Sequence, residues 1–262
     1  MTQKSKWDGK SRVSNDKYRK LFNEINWDKG LMSFEVNKYQ LLPKAISSEL
    51  ANFVYQYFLL KRKVANKLIE LKYINPEGFV IQSYINPKGE ILAGRDSQLG
   101  NVQGIGKATE WGFYSDPQAL NSYSHYADIA METLMLKCQP IIEKSIGLNL
   151  VPTYSYARIY KRGDTLIKHK DRPSCEISST MFLGGDEWNI YMEGKPFRLK
   201  VGDILIYKGC ELEHWRNKFK GDHCCQVFFH YNWSNKNKYD GRESLGYPYF
   251  LRERKEEENE KK

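Results

Sequence analysis

The sequence predicts an α+β protein in which helical segments come first and closely spaced strands follow. Apolar residues recur every three or four positions between Pro43 and Leu68, which is the period of a helix that faces a core. After Pro152 the pattern changes to short apolar or alternating runs separated by Gly- and Asp-bearing turns, which is typical of a jelly roll or barrel. This separation of helices from strands along the chain indicates the α+β class.

Residues 1–117 are predicted to form an N-terminal region packed on the core. It begins with a polar, lysine-rich arm over residues 1–30 and continues with the helix that opens at Pro43. Two Asn-Pro-x-Gly turns then enclose a short strand at 79–82. A loop is expected over 94–112, because this stretch is rich in glycine and poor in periodic apolar residues.

Residues 118–240 are predicted to form the main β-rich core, with one buttressing helix followed by strands. Apolar spacing predicts the helix over 120–146, kinked or divided at Pro140 and ended by Gly147. The predicted strands are 154–160, 176–183, 188–192, 197–201, 204–207 and 224–231. Residues 241–262 then form a charged C-terminal tail.

The composition fits a folded protein with a substantial core. Of the 262 residues, 40% are hydrophobic and 28% are charged, which excludes wholesale disorder.

The apolar runs are too short to cross a bilayer and no signal-peptide pattern is present, so we expect no membrane partner and a cytoplasmic location. The formal net charge of +9 permits contact with nucleic acid but also fits a solvated lysine-rich surface. Five cysteines, two of them adjacent at Cys224 and Cys225, favour reduced thiols over a disulfide framework.

Three residues have the chemistry and spacing of a metal site. Side chains two apart on a strand face the same way, so His169 and Asp171 can reach one point together. His214 supplies a third ligand if its strand lies opposite in the roll. Two histidines and one carboxylate on one face of an octahedron form the facial triad of non-haem iron(II) enzymes, which leaves three coordination positions open.

Two other interpretations of these residues remain open at this point. His169 and Asp171 form a surface hydrogen-bonded pair in the first. In the second, Cys210, His214, His223 and Cys224 bind a structural zinc ion, which is a chemically acceptable ligand set. Either interpretation makes the protein a non-catalytic β-roll binding module.

Four short segments resemble those of the prolyl 4-hydroxylase-type 2-oxoglutarate/iron(II) dioxygenases. The segments are Tyr160-Lys161-Arg162-Gly163-Asp164, His169-Lys170-Asp171-Arg172, Gly202-Asp203 and Glu213-His214-Trp215, and the likeness covers about 118–233. The resemblance implies a double-stranded β-helix, a distorted jelly roll, buttressed by N-terminal helices. It also implies that His169, Asp171 and His214 bind Fe(II) and that Tyr160 helps to hold 2-oxoglutarate.

The resemblance further implies the reaction. An enzyme of this kind hydroxylates an unactivated C–H bond, releases succinate and CO₂, and uses ascorbate as reductant, while 2-oxoglutarate chelates iron through its 2-oxo group and 1-carboxylate. The expected substrate is a peptidyl residue such as proline in a protein or peptide. Nucleic-acid demethylases of the AlkB kind carry two arginines after the distal histidine, whereas after Arg216 this chain has none until Arg242.

One departure from the family concerns the far carboxylate of 2-oxoglutarate. The family has a Lys or Arg nine or ten residues beyond the distal histidine, but His223 occupies that place here. A neutral imidazole is a poor partner for a buried carboxylate. Arg216 lies two residues past His214, on the same predicted strand face, and we expect it to bind this carboxylate with His223 as a hydrogen-bonding companion. Arg172 is a third possibility, although alternation points it away from Asp171.

Overall fold

Two antiparallel β-sheets form the body of the protein. The computed structural model describes residues 34–78, 82–85, 91–94, 110–233 and 239–247. The strands are β1 (Tyr39–Leu42), β2 (Gln82–Ile85), β3 (Ile91–Gly94), β4 (Tyr123–Tyr126), β5 (Val151–Lys161), β6 (Leu166–His169), β7 (Ile177–Gly185), β8 (Ile190–Met192), β9 (Lys195–Phe197), β10 (Ile204–Tyr207), β11 (His214–Arg216) and β12 (His223–Asn232). One sheet has six strands in the order β1-β10-β7-β12-β5-β4, and the other has four in the order β6-β11-β8-β9. β2 and β3 pair with each other.

The chain alternates between the two large sheets. β5, β7, β10 and β12 belong to the six-stranded sheet, and β6, β8 and β11 belong to the four-stranded sheet. The hairpin of β8 and β9 is the one place along this stretch where consecutive strands stay in the same sheet. This winding is that of a double-stranded β-helix, so the predicted fold class is confirmed.

Two helices buttress the six-stranded sheet. α1 (Ser48–Glu70) packs on β7, and α2 (Ile129–Ile146) packs on β5 and β12. Ser47 and Asp128 cap these helices by accepting hydrogen bonds from backbone N–H groups of the first turn. The carboxylate of Asp128 also contacts Lys61 of α1, so one side chain both begins α2 and joins the two helices.

The six-stranded sheet separates two buried clusters, because successive side chains of a strand point to opposite faces. The outer face packs against the helices through residues such as Ile159, Met181, Ile206, Val227 and Phe229. The inner face meets the four-stranded sheet through residues such as Tyr160, Phe182, Leu205, Cys224 and Phe228, which cluster with Ile190 and Met192. Any site between the sheets must therefore be built from the second set of positions.

The second helix is shorter than the sequence predicts. Residues 123–126 form β4, which pairs with β5, and are not the first turns of a helix. Pairing with β5 overrides the local helical period, and the cap at Asp128 allows the helix to begin only at Ile129. Pro140 lies inside the helix without dividing it, and the helix ends at Gly147 as predicted.

Other boundaries also differ from the sequence-based ones. α1 begins at Ser48 and not at Pro43. The strand predicted at 197–201 is a short hairpin strand that ends at Phe197. The predicted arm over 1–30, most of the strand at 79–82, the loop over 95–109 and the tail beyond 247 lie outside the described residues.

Two observations bear on the expectations that were drawn from composition. The five cysteines are all free thiols, as predicted. In the part of the chain that the structure describes, no helix has both the length and the apolar character needed to cross a bilayer.

Two glycines with the same backbone angle allow a stability test of the sheet. Gly185 of β7 and Gly163 both have φ of +93°. A methyl group at Gly185 would overlap the backbone carbonyl oxygen of His223, whereas one at Gly163 would have nothing within 4 Å. We expect Gly163→Ala to lower the free energy of unfolding by about 1 kcal/mol through backbone strain alone. Gly185→Ala should lower it by about 2–4 kcal/mol, because overlap adds to strain. Urea unfolding measures both, and equal losses would contradict the close approach of β7 to β12.

Candidate metal centre

Three side chains converge between the sheets. His169 ends β6 and His214 begins β11, and the two residues are direct cross-strand partners. Oδ1 of Asp171 lies 3.6 Å from Nε2 of His169 and 3.4 Å from Nε2 of His214, and the three donor atoms lie within 4.8 Å of one another. Ligands bound at right angles to one ion are about 3 Å apart, since metal–ligand bonds measure about 2.1 Å. The arrangement therefore surrounds one point at which a cation fits.

Asp171 reaches this point from beyond a strand, contrary to the sequence argument. β6 ends at His169, so simple alternation along one strand does not place the carboxylate. Instead the backbone N–H of Asp171 donates to the carbonyl of Gly209 at 2.9 Å. Gly209 must be glycine, because a Cβ there would lie 2.5 Å from Oδ2 of Asp171.

Both imidazoles are held in the tautomer that a metal ligand needs. Nδ1 of His169 lies 2.7 Å from the carbonyl oxygen of Ile167, and Nδ1 of His214 lies 3.1 Å from that of Leu212. A carbonyl only accepts, so each Nδ1 carries a proton, which leaves Nε2 as the ring nitrogen that can bind a metal at the shared point.

The charge state of the three groups also suits a cation. Burial and the neighbouring His214 lower the pKa of His169 below its usual value, which favours the neutral ring. Burial alone would raise the pKa of the Asp171 carboxyl, but the neighbouring His214 and His230 imidazoles and the Ser178 hydroxyl outweigh it and lower this pKa. The site thus offers one anionic oxygen and a neutral imidazole at neutral pH.

A cavity of about 370 Å³ opens beside the three donors, all of which line it. Its other walls are largely aromatic, formed by Tyr126, Tyr154, Tyr156, Tyr160, Tyr207 and Phe228. Lys170 and Arg172 also border the cavity, and Arg172 lies over the ring of Tyr154 with 4.7 Å between its Cζ and the ring centroid. Aromatic walls limit the access of water to a ligand bound beside the donors.

Tyr160, predicted to help hold a co-substrate, lines this cavity and is fully buried. Its hydroxyl accepts a hydrogen bond of 2.9 Å from Nη1 of Arg158, whose Nη2 contacts Asp116. Sequence reasoning missed Arg158 and Asp116. Arg158 could have been found, because it alternates along β5 with Tyr154, Tyr156 and Tyr160 and so shares their face. Nothing in the sequence connects Asp116 with Arg158.

Arg216 is a buried cation with no acidic partner in the part of the chain that the structure describes. Its side chain is 1% exposed, and Nη1 donates to the carbonyl of Trp188 at 2.7 Å. Nε and Nη2 have no hydrogen-bond partner among the described residues. Arg216 lies behind the cavity wall and not on its surface. Its guanidinium sits over the ring of Trp188, and this ring packs edge-on against Tyr160, which does line the cavity, with 5.0 Å between the ring centroids.

The structure does not bring His223 to the cavity, contrary to the sequence-based expectation. Its ring stacks on Tyr55 of α1, and Nε2 contacts the hydroxyl of Tyr55. Counting residues from His214 predicted its position along β12 but not its face. Cys224, the next residue, belongs to the inner cluster instead.

The zinc interpretation loses its ligand set for the same reason. His223 and Cys224 are adjacent on a strand and point to opposite faces of the sheet. Among the described residues, His169, Asp171 and His214 are the one group of three or more His, Cys, Asp or Glu side chains close enough to share an ion.

Comparison with known proteins supports the fold assignment. No family model and no curated protein matches the sequence. A prolyl hydroxylase from Trichoplax adhaerens, solved with a peptide fragment of the hypoxia inducible factor oxygen degradation domain, is 12% identical with a TM-score of 0.51, over 84% of this chain and 94% of that one. The two chains therefore share one fold, the double-stranded β-helix. Two further structures resemble this chain less closely. A prolyl-4-hydroxylase from Pseudomonas putida is 11% identical with a TM-score of 0.47, over 79% of this chain and 99% of that one. HygX from Streptomyces hygroscopicus, solved with nickel and 2-oxoglutarate bound, is 10% identical with a TM-score of 0.45, over 79% of this chain and 87% of that one.

Sequence reasoning also missed two residues behind Asp171. Ser178 of β7 donates a hydrogen bond of 2.6 Å to Oδ2 of Asp171. His230 of β12 lies with Nδ1 3.0 Å from Oγ of Ser178. Ser178 is an ordinary serine in an apolar run, and only the pairing of β7 with β12 sets it opposite His230.

Burial of His230 predicts a pH dependence of stability. Burial lowers the pKa of His230 to about 4, below the value of about 6.5 for an exposed histidine. The unfolded chain therefore binds this proton first, so stability is complete above pH 6.5 and is lost as the pH falls towards 4. Between pH 7 and pH 5 the loss from this group is about 2 kcal/mol.

Urea unfolding of the metal-free protein and of His230→Asn at both pH values measures this loss. The variant should lose about 2 kcal/mol less than the wild type over this interval, because it lacks the titrating ring. The pKa of Asp171, which His230 helps to lower, lies below this pH interval, so the difference between the two slopes reports the histidine. Identical pH slopes would contradict a neutral, buried His230.

Proposed function

We propose that the protein is an Fe(II)- and 2-oxoglutarate-dependent oxygenase that hydroxylates an unactivated C–H bond and releases succinate and CO₂. The observation that carries the proposal is the convergence of His169, Asp171 and His214 beside a cavity in a double-stranded β-helix. Two imidazoles and one carboxylate with open positions are the ligand set of non-haem iron(II) oxygenases. The fixed Nδ1–H tautomers of both rings support the same ligand role.

The protein and the bound groups have separate roles in this proposal. When bound, iron(II) with 2-oxoglutarate and dioxygen supplies the oxidising power that hydroxylation of a C–H bond requires, with ascorbate as reductant. The three ligands hold the metal against one side of the cavity. The tyrosine walls orient the substrate and limit the access of water, which prevents side reactions.

We propose that Arg216 binds the far carboxylate of 2-oxoglutarate in a conformation in which Trp188 and Tyr160 have moved from between its guanidinium and the cavity. A buried guanidinium with two unpartnered nitrogens fits an anionic ligand, because an uncompensated buried charge is costly. Arg158 lines the cavity, but Asp116 already neutralises it. Arg172 is exposed over Tyr154 and lacks the enclosed setting of Arg216. Tyr160 lies between the cavity and Trp188, where it can orient the co-substrate.

We propose a peptidyl residue such as proline as the substrate. The Trichoplax adhaerens protein of the same fold was solved with a peptide fragment, which supports an extended polypeptide ligand over a nucleic acid. Arg242, the next arginine after Arg216, donates to Glu132 and Asp240 and so is not free to bind a phosphate. In this proposal residues 118–240 carry the chemistry, and 1–117 contribute the helix and edge strand that support them.

The reaction is tested by measuring succinate formed from 2-oxoglutarate with Fe(II) and ascorbate. Proline-containing peptides should stimulate succinate formation more than free amino acids or nucleosides do. His169→Ala and Asp171→Ala should each lower the rate by at least about 100-fold, because each removes a metal ligand.

Cys210→Ala is the matched control for the zinc interpretation. Cys210 is a half-buried thiol near the site, and its loss should leave succinate formation unchanged. Bound zinc that requires Cys210, together with the absence of turnover in the wild type, would overturn the oxygenase proposal in favour of a structural metal module.

The proposed role of Arg216 in binding the far carboxylate is tested by making the same substitution at Arg216 and at Arg172. Arg216→Met should weaken binding of 2-oxoglutarate by at least about 30-fold, since loss of one partner of a buried charge pair costs at least about 2 kcal/mol. Arg172→Met should leave this affinity within about 3-fold of the wild type. Calorimetric titration with 2-oxoglutarate in the presence of Mn(II) measures both. A large loss of affinity in Arg172→Met and none in Arg216→Met would assign the carboxylate-binding role to Arg172.

A further inference from the structure

A chain of two hydrogen bonds leads from Asp171 away from the three converging donors. Oδ2 of Asp171 accepts from Ser178 Oγ at 2.6 Å, and Oγ lies 3.0 Å from Nδ1 of His230. Oδ1, the other carboxylate oxygen, is the atom that faces His169 and His214. The two oxygens of Asp171 therefore have different surroundings, one facing the proposed metal and one facing a serine.

The direction of this chain follows from the chemistry of its members. An ionised carboxylate only accepts, so the single hydroxyl hydrogen of Ser178 goes to Asp171. The alternative acceptor, the carbonyl oxygen of Cys175, is more distant at 3.4 Å. Oγ is then left with lone pairs alone, so His230 must donate to it from Nδ1. The geometry thus assigns the Nδ1–H tautomer to His230.

Packing holds the chain in one arrangement. Ser178 is fully buried and lies between Tyr207 of β10 and His230 of β12 in the sheet register. The backbone of Gly209 closes the other side, since a Cβ there would lie 2.6 Å from Oγ of Ser178. The ring of Tyr154 packs on His230 with centroids 4.5 Å apart. These contacts enclose Ser178 on both sides and hold the ring of His230 at one edge of the cavity.

We propose that Ser178 and His230 are positioning residues that keep Oδ2 of Asp171 engaged, so that only Oδ1 is offered to the metal. This proposal rests on the proposed function, because it concerns the same ligand. A carboxylate that turned both oxygens to the metal would occupy a further coordination position. Holding one oxygen back leaves that position for the co-substrate, which binds through two atoms. Hydrogen-bonding partners of metal ligands typically contribute about 10- to 100-fold in metal affinity.

Mn(II) binding to the metal-free protein, measured by calorimetric titration, tests the proposal without turnover. Ser178→Ala should weaken Mn(II) binding by about 10- to 100-fold. Ser179→Ala is the matched control, because Ser179 is the next residue of β7 and is equally buried. Its hydroxyl donates to the carbonyl of Phe229 at 3.4 Å and makes no other hydrogen bond among the described residues. The control should bind Mn(II) as the wild type does, and the two variants should have similar melting temperatures without metal.

The histidine is tested with a second pair of variants. His230→Leu removes the donor to Ser178 and should weaken Mn(II) binding by about 10-fold or more. His230→Asn keeps an N–H near the position of Nδ1 and should restore affinity to within about 3-fold of the wild type. The visible absorption of bound Co(II) should shift in Ser178→Ala and His230→Leu but not in Ser179→Ala, because only the first two alter the carboxylate that binds the metal.

Each result separates the positioning role from the proposed function. Unchanged Mn(II) affinity and Co(II) absorption in both Ser178→Ala and His230→Leu, with turnover intact in the wild type, would overturn the positioning role alone. Equal Mn(II) affinity of the wild type and Asp171→Ala would overturn the metal centre and the positioning role together.

Discussion

The pairing of β11 with β6 is the constraint on which the rest of the candidate site depends. It sets His214 directly across from His169, with ring centroids 4.3 Å apart, although the two residues are distant in the chain. A shift of this pairing by one residue would turn one imidazole to the other face of the sheet. Asp171 then completes the group through its backbone bond to Gly209, a residue whose lack of a side chain lets the carboxylate fit. The double-stranded β-helix supplies this pairing because its chain alternates between the two sheets.

The six-stranded sheet divides structural from functional positions by face alone. Its outer side is covered by two helices and is largely apolar, and its inner side carries most of the tyrosines, Ser178 and His230. Adjacent residues such as His223 and Cys224 consequently have unrelated roles. The helices therefore contribute to the site indirectly, by burying the outer face and holding the strands in register.

Charge is distributed unevenly around the cavity. Arg158 is neutralised by Asp116, and its hydrogen bond fixes the hydroxyl of Tyr160. Arg216 is buried without such compensation, while Asp171 is an isolated anion between imidazoles. A folded protein tolerates an uncompensated buried charge at a cost, and such charges are common where a ligand of opposite sign binds. The arrangement suits a cation at Asp171 and an anion at Arg216, which is the combination that a metal and a dicarboxylate provide.

The fold class and the residue types of the candidate metal centre follow from the sequence alone. Periodicity distinguishes helix from strand locally, and the ligand chemistry of His169, Asp171 and His214 is a property of the residues themselves. The sequence could not show that 123–126 form a strand, because pairing with β5 outweighs the local period. Nor could it place His223 on the outer face or connect Ser178 with His230. Those relations were decided only by the tertiary structure, because the register between strands distant in the chain determines which side chains meet.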